Sequence, residues 1–368
     1  MARFETITSG WIARRTPQEE GRIGGPSCVA MCDGTLISTY ITQSAMGVND
    51  FVPHLVRSQD HGGTWQEGAP IWPHLADDWS ILVTISRDIH GHLYLFGSRC
   101  PIDTPGESFW CDTTQGLKQN ELIWSRSEDG GTAWSEPATI PMPVPGSAEA
   151  PSPMCVSRSG RWLACYSPYH TFDSALQVDR SQAVIQFSDD RGSSWQHTAM
   201  LRYHEPDTGC AVAAVTELSE GGFLGASWHL HLADKQPYPN GFAVSDDGGR
   251  WQTTGSTGIM GQSVGLAPLT NGRVLMSYTQ RKPGPAGFGL AIARPRDGDF
   301  GLEDHEMVWH ADTVAGCGSG DHSQWTDFAF GMPMLTPLDH DEVLLTFWLQ
   351  HVEGRGLRYL RLKMNRPS

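Results

Sequence analysis

Short runs rich in β-branched and aromatic residues recur along the whole chain, in two kinds of phrase. The first kind contains a turn followed by an apolar run: CDGTLISTY, IHGHLYLF, RSGRWLACY, SEGGFLGASW, TNGRVLMSY and DHDEVLLTFW. The second kind, PHLVRS, LIWSRS, AVIQFS and GFAVS, leads directly into a polar turn. Runs of about four to eight such residues, bounded by Gly, Asp, Asn and Ser, predict strands joined by tight hairpins.

The polar turns share one pattern: Ser58-Gln-Asp60-His-Gly-Gly-Thr-Trp65, Ser127-Glu-Asp129-Gly-Gly-Thr-Ala-Trp134, Ser188-Asp-Asp190-Arg-Gly-Ser-Ser-Trp195 and Ser245-Asp-Asp247-Gly-Gly-Arg-Trp251. Their serines are 69, 61 and 57 residues apart, and a worn copy, Arg296-Asp297-Gly-Asp-Phe300, follows about 50 residues later. The local physics is a turn: the Asp carboxylate accepts turn N–H groups, Gly takes backbone angles that other residues resist, and Trp packs inward. Each unit reads as strand, turn, strand, loop, strand, Asp-turn, strand. Six such meanders predict an all-β chain, residues 1–368, folded as one six-bladed β-propeller. The last unit lacks its outer strand after LRYLRLKM, so residues 4–12 are expected to supply it and close the ring, removing an exposed edge.

Composition narrows the function classes. The chain has 368 residues with 14 Trp and 13 Phe, enough to bury a core that offsets its ordering entropy. Its formal charge of −15 argues against nucleic acid or an anionic membrane as principal partner. The first fifteen residues hold no uninterrupted apolar segment for export and no run is long enough to span a bilayer, so a cytoplasmic location is expected. Eight scattered cysteines without a CxxC pair predict free thiols rather than a zinc site or disulfide framework, and nothing calls for a cofactor.

In a meander of this kind the Asp-turns share one end of the propeller, and the irregular loops between second and third strands share the other. Those loops, residues 43–50, 99–117, 169–179, 229–240 and 281–287, are where a site is expected. The starts of the innermost strands converge there and carry Arg22, Asp78, Trp79, Glu149, Asp207, Gln262, Trp325 and Asp327. His229 and His231, spaced by two on an extended run, offer a neutral base near pH 7. They could also ligate a metal, but no third convergent ligand is identifiable, so none is assigned.

The repeated Ser-x-Asp-x-Gly-x-Thr-Trp turns resemble the Asp-box, or BNR, repeats of the sialidase superfamily over most of the chain. That resemblance implies the propeller fold and a carbohydrate substrate. Gly21-Arg22-Ile23-Gly24-Gly25-Pro26 followed by Asp33-Gly-Thr-Leu-Ile37 is similar to the segment carrying the first arginine of the sialidase carboxylate-binding triad. By the same resemblance Arg281 is placed for the third arginine, with Arg99 as a supplement, and Asp50 falls near the acid/base aspartate. The chain departs from the family elsewhere: Ser227-Trp228-His229-Leu230-His231 stands where the second arginine belongs, Cys210-Ala-Val-Ala-Ala214 lacks the glutamate, and Phe328-Ala-Phe-Gly-Met-Pro333 lacks the tyrosine nucleophile.

The sequence therefore points first to a glycoside hydrolase acting on a small, acidic oligosaccharide or glycoside. Acid and base would come from Asp50, Asp78, Glu149 and Asp327, with Trp79, Trp228 and Trp325 stacking on sugar. A uronate lyase, with Arg22 and Arg281 neutralising the carboxylate and His229 as base, is the alternative enzyme. A non-catalytic glycan-binding propeller is the alternative outside enzymes.

Overall fold

The computed structural model describes residues 3–16, 18–66, 68–234, 236–281, 284–311, 328–339, 341–351 and 354–365. Its strands form six antiparallel meanders around one axis, a six-bladed β-propeller as the repeats predict. From the axis outward, blade 1 is Arg22–Ala30, Leu36–Gln43, Val52–Ser58 and Ala69–Pro70, and blade 2 is Trp79–Arg87, Leu93–Pro101, Glu121–Ser127 and Ala138–Ile140. Blade 3 splits its innermost strand into Ser147–Glu149 and Cys155–Val156, then continues with Trp162–Tyr169, Gln182–Ser188 and Gln196–Arg202. Pro151 and Pro153 lie in the gap, where proline cannot donate to the ladder.

Blade 4 is Thr208–Glu217, Phe223–His231, Gly241–Ser245 and Gly255–Ser256, and blade 5 is Val264–Pro268, Val274–Gln280, Gly287–Ala293 and Leu302–His310. In blade 6 the order is Phe330–Asp339, Glu342–His351, Gly354–Met364 and, outermost, the N-terminal strand Phe4–Arg15. That strand pairs from Phe4 with Met364 to Arg15 with Arg355, so the outer edge of the last blade is made by the beginning of the chain. The innermost strands touch one another in turn around the axis, from blade 1 to blade 6 and back to blade 1.

Because a strand alternates its side chains between two faces, each blade packs one set against each neighbour. In blade 5, Leu275, Phe288, Leu290 and Ile292 meet Phe330, Leu345 and Phe347 of blade 6. Val274, Met276, Ala291 and Ala293 of the same strands meet Leu224, Ala226 and Phe242 of blade 4. The core is therefore a ring of layers between blades, and inner strands bury both faces.

The Asp-turns close by the predicted hydrogen bonds. Ser188 Oγ donates to Asp190 Oδ1 at 2.8 Å, and Asp190 Oδ1 accepts the Ser194 amide at 2.8 Å. Asp60 repeats this with Ser58 and Thr64, both at 2.8 Å. These donors hold both carboxyls down to about 2: the Thr64 amide and hydroxyl act most strongly on Asp60, and the Ser194 hydroxyl and amide on Asp190. The turns satisfy their carboxylates internally, as structural elements do.

Candidate functional site

The cavity of interest, about 300 Å³, lies at the end opposite the Asp-turns, where innermost strands begin and the irregular loops gather. A wider hollow of about 570 Å³ opens at the Asp-turn end, but its Arg158 and Glu217 are paired with each other at 3.1 Å. At the first cavity, Phe51, Phe109, Trp110, Trp228, Phe328 and Trp348 are the aromatic part of the wall besides Tyr169, with Glu149, Arg281 and Asn120 among the polar groups.

The rim is built by loop against loop. The Asn49 amide donates to the Glu107 carbonyl at 2.8 Å and the Phe109 amide to Gly47 at 3.1 Å. Beneath them Asn49 Nδ2 donates to Glu107 Oε1 at 3.0 Å, while Lys118 pairs with Glu107 and, at 2.8 Å, with Asp103. This network sets the Phe51 and Phe109 rings edge to face at 5.1 Å. A small hairpin, Trp110–Cys111 with Gly116–Leu117, brings Trp110 to 6.1 Å from Tyr169.

Glu149 ends the first piece of the broken strand in blade 3. Its Oε2 accepts the Val212 amide at 3.3 Å. Val212 sits at φ 48°, where the innermost strand of blade 4 slips register between Ala211 and Ala213. A β-branched residue in the left-handed region is strained, and the bulge that imposes it turns the amide toward the carboxylate. Burial pushes the Glu149 carboxyl above its usual range, against the opposing pull of Arg180 and of the Val212 amide. A carboxyl so placed can carry a proton to a leaving group.

Behind this wall, Arg180 is 3% exposed and stacks its guanidinium 4.0 Å from the Tyr169 ring centre. Its Nε and Nη2 are buried without a hydrogen-bond partner. Tyr169 is itself buried at 2% exposure, and burial raises its phenol well beyond the usual range. Arg281, 5% exposed, donates from Nη1 to Gln262 Oε1 at 2.5 Å and from Nη2 to the Phe330 carbonyl, and it lies 3.8 Å from the Phe328 ring centre. Gly331 makes this possible, since a Cβ there would meet Arg281 Nη2 and the Trp348 ring at 3.0 Å.

Of the residues singled out by sequence, Glu149, Trp228 and Arg281 line the cavity, and Gln262 supports Arg281 from behind. Several others are displaced by a single residue of strand alternation. Ser80, Ser98 and Cys100 line the wall, whereas Trp79 and Arg99 face away from it. Arg99 instead stacks 4.1 Å over Trp79 and pairs with Glu121 at 2.9 Å. His229 also falls on the far face, beside the cavity-lining Trp228. His229 is sandwiched between Tyr203 at 3.9 Å and Tyr238 at 4.8 Å, and burial lowers its pKa, so it stays neutral. His231 is held by Asp234 at 2.6 Å.

Arg22, half-buried at the mouth end of blade 1, is also outside the cavity wall. Burial, and to a lesser degree the charge of Arg355, lower its pKa. The strand-start carboxylates turn to water: Asp78 and Asp207 are exposed, and Asp50 accepts the Ser44 amide at 3.2 Å. None of the three lines the cavity; Asp78 and Asp207, left in water, avoid the desolvation that Glu149 bears. Trp325 and Asp327 lie outside the described residues.

Sequence reasoning missed Tyr169, Arg180, Val212 and the rim aromatics Phe51, Phe109 and Trp110. The rim residues fall in or beside irregular loops already flagged. The bulge at Val212 and the stacking of Arg180 leave no sequence signal. Among the described residues no group of three His, Cys, Asp or Glu is placed to hold a metal ion, and the seven cysteines are free thiols.

No protein-family model and no curated protein matches the sequence. Solved structures do match in shape. A protein of unknown function from Dyadobacter fermentans superimposes with a TM-score of 0.76 at 19% identity, covering 99% of this chain and 100% of the other. The Hadza microbial sialidase Hz136 follows at TM-score 0.67 and 16% identity, over 97% of this chain and 68% of that one. The fold is that of the sialidases. The intramolecular trans-sialidase from Ruminococcus gnavus, whose structure holds oseltamivir carboxylate, matches with TM-score 0.64 and 14% identity over 98% of this chain and 99% of that one. At these identities the likeness concerns the sialidase-like propeller itself, and chemistry must be argued from the side chains.

Proposed function

We propose that this sialidase-like propeller is a glycoside hydrolase in which Glu149, protonated, delivers its proton to the glycosidic oxygen of a small acidic oligosaccharide or glycoside. The observation that carries the reading is Glu149 itself: a carboxyl in an aromatic-walled cavity, held by the Val212 amide and pushed up by burial. Glycosidic cleavage needs one carboxyl kept protonated near neutral pH, and an apolar pocket is how that is achieved. Trp110, Phe109 and Phe51 offer flat apolar surfaces to the C–H face of a sugar ring, and Arg281 puts a positive charge on the wall for an acidic substituent. The sialidase neighbours support carbohydrate as the substrate class.

A second reading, glycan recognition without turnover, is favoured by one observation. Glu149 is the lone carboxylate lining the cavity among the described residues, whereas two-carboxylate hydrolysis needs a partner. One experiment decides between them. Uronate-, sialate- and neutral-sugar oligosaccharides are incubated with the protein and with Glu149→Gln, and products are weighed by mass spectrometry. Gain of water by the wild type, lost in the variant, supports hydrolysis. An unsaturated product without added water marks elimination, saturable binding without product marks recognition, and undiminished turnover by Glu149→Gln overturns the role given to that carboxyl.

A further inference from the structure

The most anomalous charged group of the molecule lies behind the cavity rather than in it. Arg180 precedes the strand Gln182–Ser188, is 3% exposed, and makes no ion pair among the described residues. Several other arginines of the propeller meet a carboxylate: Arg161 meets Asp189 at 2.7 Å, Arg202 meets Asp179 at 3.3 Å, and Arg361 meets Glu342 at 2.6 Å. Asp179, next to Arg180 in the chain, is engaged by Ser181, Gln182 and Arg202. Arg180 keeps two buried N–H groups without acceptors. A desolvated cation in that state destabilises a fold, so its presence calls for a use outside packing.

The groups that feel its charge are few. They are Glu149, Tyr169 and Cys210, on two adjacent blades. Tyr169 lines the cavity and Arg180 does not, so the phenol ring carries the guanidinium on its hidden face and shields it from the hollow. Cys210 lies on the blade 4 strand that also supplies the Val212 amide to Glu149. Its thiol and the Tyr169 phenol are both raised far above neutrality by burial. Glu149 is the one group in this set whose ordinary range lies below neutrality, and burial raises it from there. The Cys210 amide donates to the Arg180 carbonyl at 3.2 Å, which fixes Arg180 beside the strand whose Val212 amide holds Glu149. Away from bulk water, a fixed positive charge there acts with little screening.

We propose that Arg180 is a positioning residue whose buried guanidinium, mounted on the back of Tyr169, sets the charge state of Glu149. Without it, burial alone would leave that carboxyl protonated to still higher pH, too reluctant to release its proton in a reaction. With it, the same carboxyl is poised between holding and giving. The inference rests on the reading of Glu149 as proton donor, but the coupling itself is measurable without substrate.

The test uses the full chain with Arg180→Met, Arg180→Gln and Arg180→Lys. The protonated-carboxyl infrared band that Glu149→Gln removes is followed against pH in each unliganded protein, alongside thermal unfolding and, on any substrate found, the pH profile of kcat/KM. Loss of the charge should move the Glu149 midpoint upward by about one pH unit, a tenfold change in its protonated-to-ionised ratio. Arg180→Lys should hold the midpoint near the wild-type position, and Arg180→Met should unfold no earlier than the wild type. An unmoved midpoint in both neutral variants overturns the proposal. So does failure of both to fold, which would make the guanidinium a part of the scaffold. A moved midpoint in a protein that turns over no glycoside keeps the coupling and removes the hydrolase reading; turnover whose alkaline limb ignores Arg180→Met does the reverse.

Discussion

The Val212 amide and the Glu149 carboxylate meet at 3.3 Å across two blades, and the contact exists because Val212 occupies a left-handed backbone conformation at φ 48°. Such a conformation opposes a β-branched side chain by about 1–2 kcal/mol. In an ordinary strand, Gly is about 0.5–1 kcal/mol worse than Ala. At position 212 that order should reverse: Val212→Gly is expected to be more stable than Val212→Ala by about 1 kcal/mol, since it alone relieves the strain. Urea unfolding of the two variants checks this, and an Ala variant that is the more stable would remove the strain from the account.

Glu149→Gln should reduce turnover by at least ~100-fold, the usual worth of a general acid. Its effect on stability should depend on pH with a definite sign. The folded-state pKa of Glu149 lies above its unfolded value, so the destabilisation is full above the folded pKa, fades as pH falls from there toward the unfolded value, and is gone below it. The variant should therefore melt higher than the wild type at pH 8 and lose that advantage by pH 4, where both side chains are neutral. Parallel melting curves across this range are the measurement, and a constant offset would contradict the shift.

His229, flanked by Tyr203 and Tyr238, is neutral in the fold because burial lowers its pKa from 6.5. Protonation thus favours the unfolded chain, and its contribution is complete above the ordinary histidine value and drains away as pH falls below it. Replacement by Phe, which keeps the stack, should flatten part of the stability loss between pH 7 and pH 5 and leave turnover within about twofold. A loss of about 100-fold in kcat would restore His229 as a base.

Trp110 presents an aromatic face at the rim, anchored by its Nε1 donating to Asp112 Oδ1 at 2.9 Å. Trp110→Ala should weaken sugar binding about tenfold, ~1.4 kcal/mol, with kcat little changed. Titration calorimetry with a bound oligosaccharide checks this; equal affinity would place the sugar elsewhere.

Asp190 tests the opposite end of the propeller. Asp190→Ala leaves the Ser188 hydroxyl and Ser194 amide without their acceptor and should lower Tm while leaving sugar affinity untouched. Because its folded pKa is depressed to about 2, its stabilisation is present above the unfolded value and disappears as pH falls toward that figure, so the two proteins should converge in strong acid.

The propeller was legible in the chain because its causes are local and repeated. Ser-x-Asp turns close through contacts two to four residues apart, and alternation tells each strand that it has two faces. Strand alternation repeated in six units, with the Ser-x-Asp turn in four of them, leaves one economical arrangement, so the fold and the loops that gather at one end could be read together. The site followed a different logic. Whether Trp79 or Ser80, Arg99 or Cys100, His229 or Trp228 looks into the hollow is decided by one residue of register. Glu149 lines the hollow where a bulge on a neighbouring blade offers it an amide, whereas Asp78 and Asp207 remain in water. Arg180 gains its influence by stacking on a tyrosine eleven positions earlier, across a loop. Burial, register and charge separation are properties of the assembled ring, and they act between residues that are neighbours only after six blades have closed around an axis.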